Sequence, residues 1–126
     1  MLVLVTGAFG YFGLALVRAL APTHEVIAAG RLSRPGGAAA VLAGCSGRVS
    51  LLVGDVLDLA GESLRGVDAV VHLAGGGDVS GGALPDPDGA RRDNVDSAAH
   101  VARIAPPGCR LILASSLCVY APLDRP

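Results

Sequence analysis

Three glycines near the start of the chain, Gly7, Gly10 and Gly13, have a spacing suited to phosphate chemistry. A glycine at the first position permits a tight turn, and one at the second lets a pyrophosphate approach the backbone. One at the third lets a helix pack closely on a strand. A helix beginning beside them would add unpaired N–H groups and a partial positive charge. The spacing is G-x-x-G-x-x-G rather than the G-x-G-x-x-G of the standard dinucleotide fingerprint, so its meaning depends on the surrounding elements. Further along, Arg31, Ser33 and Arg34 offer donors of the kind that hold a phosphate.

Those elements are legible on both sides of the glycines. Residues 1–5 form a continuous apolar run, the pattern of a parallel strand covered on both faces. Leu14, Leu16, Val17 and Leu20 fall at helical spacing within residues 11–20, and Pro22 stops the helix. The stretch Gly7, Ala8, Phe9, Gly10, Tyr11, Phe12 and Gly13 thus sits between a strand and a helix, as a cofactor loop requires. The rival readings fit poorly. A signal peptide wants a basic start, and no basic residue precedes Arg18. A membrane span wants about 18 or more apolar residues without a glycine at every third position.

The rest of the chain alternates strand and helix. Strands are expected at residues 25–30, 48–53, 69–73 and 109–114, with a short helix at 36–44 and a polar helix or turn at 58–65. Residues 74–89 form a long glycine- and proline-rich loop. Residues 90–105 form a helix with Val95, Ala98, Ala99, Ala102 and Ile104 as its core contacts. The alternation predicts an α/β fold, a doubly wound parallel sheet of about five strands in the order 3-2-1-4-5. Its binding crevice lies at the carboxyl ends of strands 1 and 4.

The end of the second strand meets the adenosine ribose in such a fold. An acidic residue there favours NAD, whereas an arginine accommodates a 2′-phosphate. Here the position carries Arg31, with Arg34 nearby and no acidic residue between Val26 and Asp55, so NADP(H) is expected over NAD(H). Solvated arginines in a surface loop are the competing reading.

Composition narrows the partners. The formal net charge is −1, which makes no electrostatic case for nucleic acid or an anionic membrane. With 52% hydrophobic and 17% charged residues, the 126-residue chain is expected to be one globular domain. Cys45, Cys109 and Cys118 match neither a zinc site nor a disulfide framework, which points to reduced thiols in the cytoplasm and to no metal. The lone His24 reads as solvated. All ten basic residues are arginine.

Taken together, the chain resembles the extended short-chain dehydrogenase/reductase family, the NAD(P)-dependent epimerase/dehydratase group. The residues that carry the resemblance are the run Thr6 to Gly13, Gly54-Asp55-Val56, His72-Leu73-Ala74-Gly75, Asn94-Val95, and Ser115-Ser116-Leu117-Cys118-Val119-Tyr120. The resemblance implies a Rossmann-type fold with Gly7, Gly10 and Gly13 as the pyrophosphate loop. It implies that Asp55 accepts from the adenine amino group, with Val56 lining that pocket. By the same resemblance, Ala74 and Gly75 pass beside the cofactor ribose, and Asn94 orders the helix before strand five. Ser116 matches the catalytic Ser/Thr, and His72 matches a structural residue. The family's proton-transfer pair is Tyr-x-x-x-Lys, but Tyr120 is followed four residues later by Asp124 and the chain has no lysine.

The expectation is therefore the cofactor-binding part of a reductase, epimerase or dehydratase, inactive alone and lacking the substrate region. The alternatives are a noncatalytic NAD(P)-binding module that senses redox state or docks a partner, and a truncated product without function. Strand five would be an exposed apolar edge, so the chain is expected to be marginally stable or to self-associate through it.

Overall fold

The structure, a computed structural model, describes residues 1–32, 48–76 and 86–116, together with 36, 39, 41, 43 and 45. Its centre is β1 (Leu2–Thr6), buried from Val3 to Thr6. β2 (Glu25–Gly30) and β4 (Ala69–His72) pair with it on either side, both parallel. β3 (Val49–Val53) and β5 (Arg110–Leu113) form the edges, giving one sheet in the order β3-β2-β1-β4-β5. This is the Rossmann-type topology that the strand–helix alternation predicts.

Period-two alternation along β1 divides the core. Val3 and Val5 face one layer with Val17, Val26, Ala28 and Val41. Leu4 faces the other with Leu64, Val70 and Val101. Burying each such valine or leucine contributes roughly 1.5–3 kcal/mol, which is why an uncharged strand takes the central position. The first layer is covered by α1 (Tyr11–Leu20), through buried Gly13 and Val17. Two 3-10 turns, Val56–Asp58 and Gly61–Leu64, and the later helices lie on the second layer.

The helical stretch before β5 departs from the expected uniform helix. It begins at α2 (Pro87–Arg91), with Asp86 accepting from Gly89 N–H at 2.9 Å and proline in the first turn. A π-helical turn (Arg92–Asp96) follows, and then α3 (Ser97–Ile104). The wider turn resets the phase of the buried face. Ser97 and Val101 are buried, and Ala98 and Ile104 are half-buried, but Val95, Ala99 and Ala102 are exposed. The expected core contacts at those last three positions are thus corrected. A constant 3.6-residue period cannot follow a segment containing one five-residue hydrogen-bonded loop.

The short helix expected at 36–44 lies largely outside the described residues, as does most of the loop at 74–89. The segment at 58–65 forms part of the two 3-10 turns rather than an α-helix. No helix among the described residues is long and apolar enough to cross a membrane.

Candidate functional site

Because the strands are parallel, the ends of β1, β2, β3 and β4 reach the same edge of the sheet, and two hollows open there. The first, about 210 Å³, lies between Gly30 and Arg31 after β2, Asp55 and Val56 after β3, and Ala74 and Gly75 after β4. The second, about 490 Å³, is lined by Tyr11, Phe12, Gly13, Leu16 and Ser115. Gly7 and Gly10 border both, so the glycine loop is the saddle between them.

Each glycine of that saddle is required for a different reason. Gly7 has φ +67°, and a Cβ there would come within 2.7 Å of the Leu73 and Ala74 backbone. Gly13 is buried under the loop: a Cβ would overlap Gly7 O and stand 2.6 Å from Ala8 Cα. Gly10 is extended and exposed, and its nearest neighbour to a built Cβ is Gly7 O at 3.3 Å. It is also the N-cap of α1, where a glycine offers the helix no capping side chain, and the first turn has no acidic residue. The protein's own packing fixes Gly7 and Gly13, while Gly10 leaves open backbone facing the hollows.

The other loop residues divide between packing and lining. Ala8 is fully buried and its N–H donates to Ala29 O at 3.1 Å. Phe9 packs against the first core layer. Tyr11 and Phe12 are 88% and 75% exposed and meet edge to face, with centroids 5.4 Å apart, at the rim of the second hollow. Ser115 lines that hollow, and exposed Ser116 follows it in sequence. Arg34, Cys118, Tyr120 and Asp124 lie outside the described residues.

Charged side chains close the far end of the first hollow. Asp55 Oδ1 accepts from Leu57 N–H at 3.0 Å, and Asp55 Oδ2 accepts from Arg92 Nη2 at 2.8 Å. The backbone donor first and Arg92 second hold the Asp55 carboxyl below its usual range. Arg31 Nη2 donates to Asp93 Oδ2 at 2.6 Å. Asn94 does not line either hollow. Its Nδ2 donates to Gly76 O at 2.6 Å and Ala90 O at 2.8 Å, and its Oδ1 accepts from Gly76 N–H at 3.2 Å. It thereby ties the β4 loop to the helix, and a Cβ on Gly75 would stand 2.6 Å from Asn94 Oδ1.

Beneath the site runs a buried hydrogen-bond chain. Thr6 Oγ1 meets His72 Nδ1 at 2.8 Å, His72 Nε2 meets Ser97 Oγ at 3.2 Å, and Ser97 Oγ donates to Asp93 O at 2.6 Å. Thr6 Oγ1 also accepts from Ala74 N–H at 3.3 Å. Burial pushes the His72 pKa down, which favours the neutral ring. The chain joins β1, β4 and the π turn. His72 therefore holds the floor of the site in place and does not face either hollow. Ser97, Arg92 and Asp93 have no role in the reading of the sequence. The one signal that pointed near them was the adjacent Asn94.

The residues present fit a dinucleotide. Gly10 leaves open backbone at the start of α1, and Gly7 and Gly10 border both hollows, one on either side for the two nucleoside halves. Among the described residues, no group of three His, Cys, Asp or Glu side chains is placed to hold a metal ion.

Known structures share this fold. A variant of UDP-glucuronic acid 4-epimerase from Bacillus cereus, in complex with a fluorinated UDP-glucuronic acid and NAD, superposes with a TM-score of 0.84 at 22% identity. The match covers 96% of this chain and 42% of that one. UDP-glucose 4-epimerase from Bifidobacterium longum, in complex with NAD+ and UDP, gives 0.79 at 26% identity over 96% of this chain and 38% of its own. UDP-N-acetylglucosamine 4-epimerase from Methanobrevibacter ruminantium gives 0.81 at 26% identity over 94% and 38%. The chain thus spans between 38% and 42% of the length of these solved relatives. No curated protein matches it. The model of the NAD dependent epimerase/dehydratase family matches residues 3–126, and the chain belongs to that family.

Proposed function

We propose that residues 1–126 act as the NAD(P)-binding domain of a nucleotide-sugar epimerase, dehydratase or reductase. The observation that carries this reading is the saddle of Gly7 and Gly10 between two hollows, at the start of α1. A dinucleotide has that shape: a doubly charged pyrophosphate with a nucleoside on each side. The UDP-glucose 4-epimerase of Bifidobacterium longum, solved with NAD+ and UDP, supports the proposed substrate class.

In the proposed mechanism the backbone at Gly7 and Gly10 and the α1 terminus bind the pyrophosphate. Asp55 and Val56 receive the adenine, and Ala74 and Gly75 pass beside a ribose. Ser116 polarises the reacting oxygen of the substrate. The bound cofactor supplies hydride acceptance or donation at its nicotinamide. This chain carries no lysine, so the tyrosine–lysine proton transfer of the family is no part of what these residues do. The proposed location is the cytoplasm, where thiols such as Cys45 and Cys109 persist unpaired.

The preferred cofactor is NADP(H). Arg31 stands at the end of β2 in the first hollow with its side chain 57% exposed, and the described part of that hollow has no acidic residue on β2. A charge-assisted phosphate contact contributes about 1.5–3 kcal/mol. In titrations followed by nicotinamide fluorescence, NADPH is expected to bind more tightly than NADH. Arg31→Ala is expected to weaken NADPH about 10- to 100-fold more than NADH. Equal losses for both would defeat the assignment, and absence of binding by either would defeat the functional reading itself.

Self-association through β5 belongs to the same proposal. Leu111, Ile112 and Leu113 on this edge strand are 40%, 47% and 56% exposed, an apolar edge of the kind that recruits another strand. Sedimentation should give a mass above that of one chain, and a charge at Ile112 (Ile112→Lys) should return it to the monomer. A monomer at all concentrations would rule this out.

A further inference from the structure

Four charged side chains from three separate parts of the chain meet at the end of the first hollow. Arg31 follows β2, Asp55 follows β3, and Arg92 and Asp93 open the π turn. Asp93 is the member that touches both arginines most directly, with Oδ2 2.6 Å from Arg31 Nη2 and Oδ1 3.2 Å from Arg92 Nη1. Asp55 Oδ2 lies 2.8 Å from Arg92 Nη2 and 3.9 Å from Arg31 Nη1. Two positive and two negative charges cancel, so the guanidinium best placed for a 2′-phosphate is already neutralised.

Asp93 is held in that position from behind. Ser97 N–H reaches back five residues to Arg92 O, and the Ser97 hydroxyl donates to Asp93 O at 2.6 Å. Ser97 is in turn fixed by buried His72. The arginines are different: both are about half exposed, at 57% and 46%, and can swing away. The backbone that carries the Asp93 carboxylate is fixed, whereas Arg31 reaches it on a long, exposed side chain.

We propose that Asp93 is a specificity-determining residue, whose carboxylate competes with the 2′-phosphate of NADP(H) for Arg31 and so narrows the preference for NADP(H) over NAD(H). This rests on the reading of the cleft as a dinucleotide site. An incoming 2′-phosphate must displace Arg31 from Asp93 and accept two carboxylates nearby, whereas a free ribose hydroxyl leaves the pair intact. The competition is modest in size because exposed ion pairs are weak in water.

The test is the ratio of NADPH to NADH affinity in the full chain, in Asp93→Asn, and in both again with Arg31→Ala. Asparagine keeps the shape and removes the charge, and Asp93→Ser serves if asparagine unfolds the π turn. The ratio is expected to rise about 2- to 5-fold in Asp93→Asn and to stay flat when Arg31 is absent. An unchanged or lower ratio overturns the proposal, and so does a rise that persists without Arg31. If neither cofactor binds the unaltered chain, the dinucleotide reading falls and this proposal falls with it. If both bind with no effect of Asp93, only this proposal falls.

Discussion

The two sides of the cleft are built in opposite ways. The glycine side comes from one uninterrupted stretch, β1 through α1, in which Gly7, Gly10 and Gly13 lie three residues apart. The charged side is assembled from the ends of β2 and β3 and from the π turn, where Arg31 and Asp93 meet across 62 residues of sequence. On the first side the geometry is set by hard backbone contacts. On the second it is set by exposed ion pairs of little individual strength. One side is rigid and local, the other adjustable and long-range.

The sharpest way to break that contrast is within the glycines themselves. Gly13→Ala drives a methyl into Gly7 O and to 2.6 Å from Ala8 Cα, both backbone atoms that cannot move aside. It should cost about 3 kcal/mol or more, at the upper end for overpacking, and a large share of a small domain's stability. Gly10→Ala meets only Gly7 O at 3.3 Å, with φ −81° and ψ 176°, a conformation open to alanine. Its stability cost should stay within about 1 kcal/mol, because glycine is only moderately better than alanine at an N-cap. Its NADPH affinity should nonetheless fall about tenfold or more, since the methyl occupies the open backbone face. Urea unfolding and cofactor titration on the two variants check this. Equal stability losses would erase the distinction between packing glycine and ligand-facing glycine.

The same contrast explains what could be read from the sequence. Apolar periodicity and Pro22 are local signals, and they predict β2 and α1 at the residues where they occur, Glu25–Gly30 and Tyr11–Leu20. The strand order also follows from the strand–helix alternation and right-handed crossovers. The π turn was not legible: nothing in Arg92-Asp93-Asn94-Val95-Asp96 distinguishes a wide turn from an α-helical one. It is stabilised by the local bond from the Ser97 hydroxyl to Asp93 O and by the contact of Ser97 with His72, which lies 25 residues away in sequence. The misassigned core positions Val95, Ala99 and Ala102 share that single cause. Arg31 was visible as a phosphate ligand, but its engagement by Asp93 was not, because a charge 62 residues away leaves no local trace.

A smaller effect tests the buried chain beneath the two sides. One proton arrangement satisfies every group. Ala74 N–H donates to Thr6 Oγ1, Thr6 O–H donates to His72 Nδ1, His72 Nε2–H donates to Ser97 Oγ, and Ser97 O–H donates to Asp93 O. A second ring proton would turn Nδ1 into a donor and strand the Thr6 hydroxyl hydrogen. Burial accordingly holds the His72 pKa below the ordinary 6.5. The unfolded chain then binds the proton more readily than the folded one, so stability is present in full above pH 6.5 and declines as pH falls toward the lower folded value. The slope for one such group is at most about 1.4 kcal/mol per pH unit. Asp55, also held low, adds a second decline below its ordinary 3.8. Urea midpoints across this range should fall in the unaltered chain and flatten above about pH 5 in His72→Asn, which cannot take up the proton. A slope that survives His72→Asn would mean that another group, and not the buried histidine, takes up the proton on unfolding.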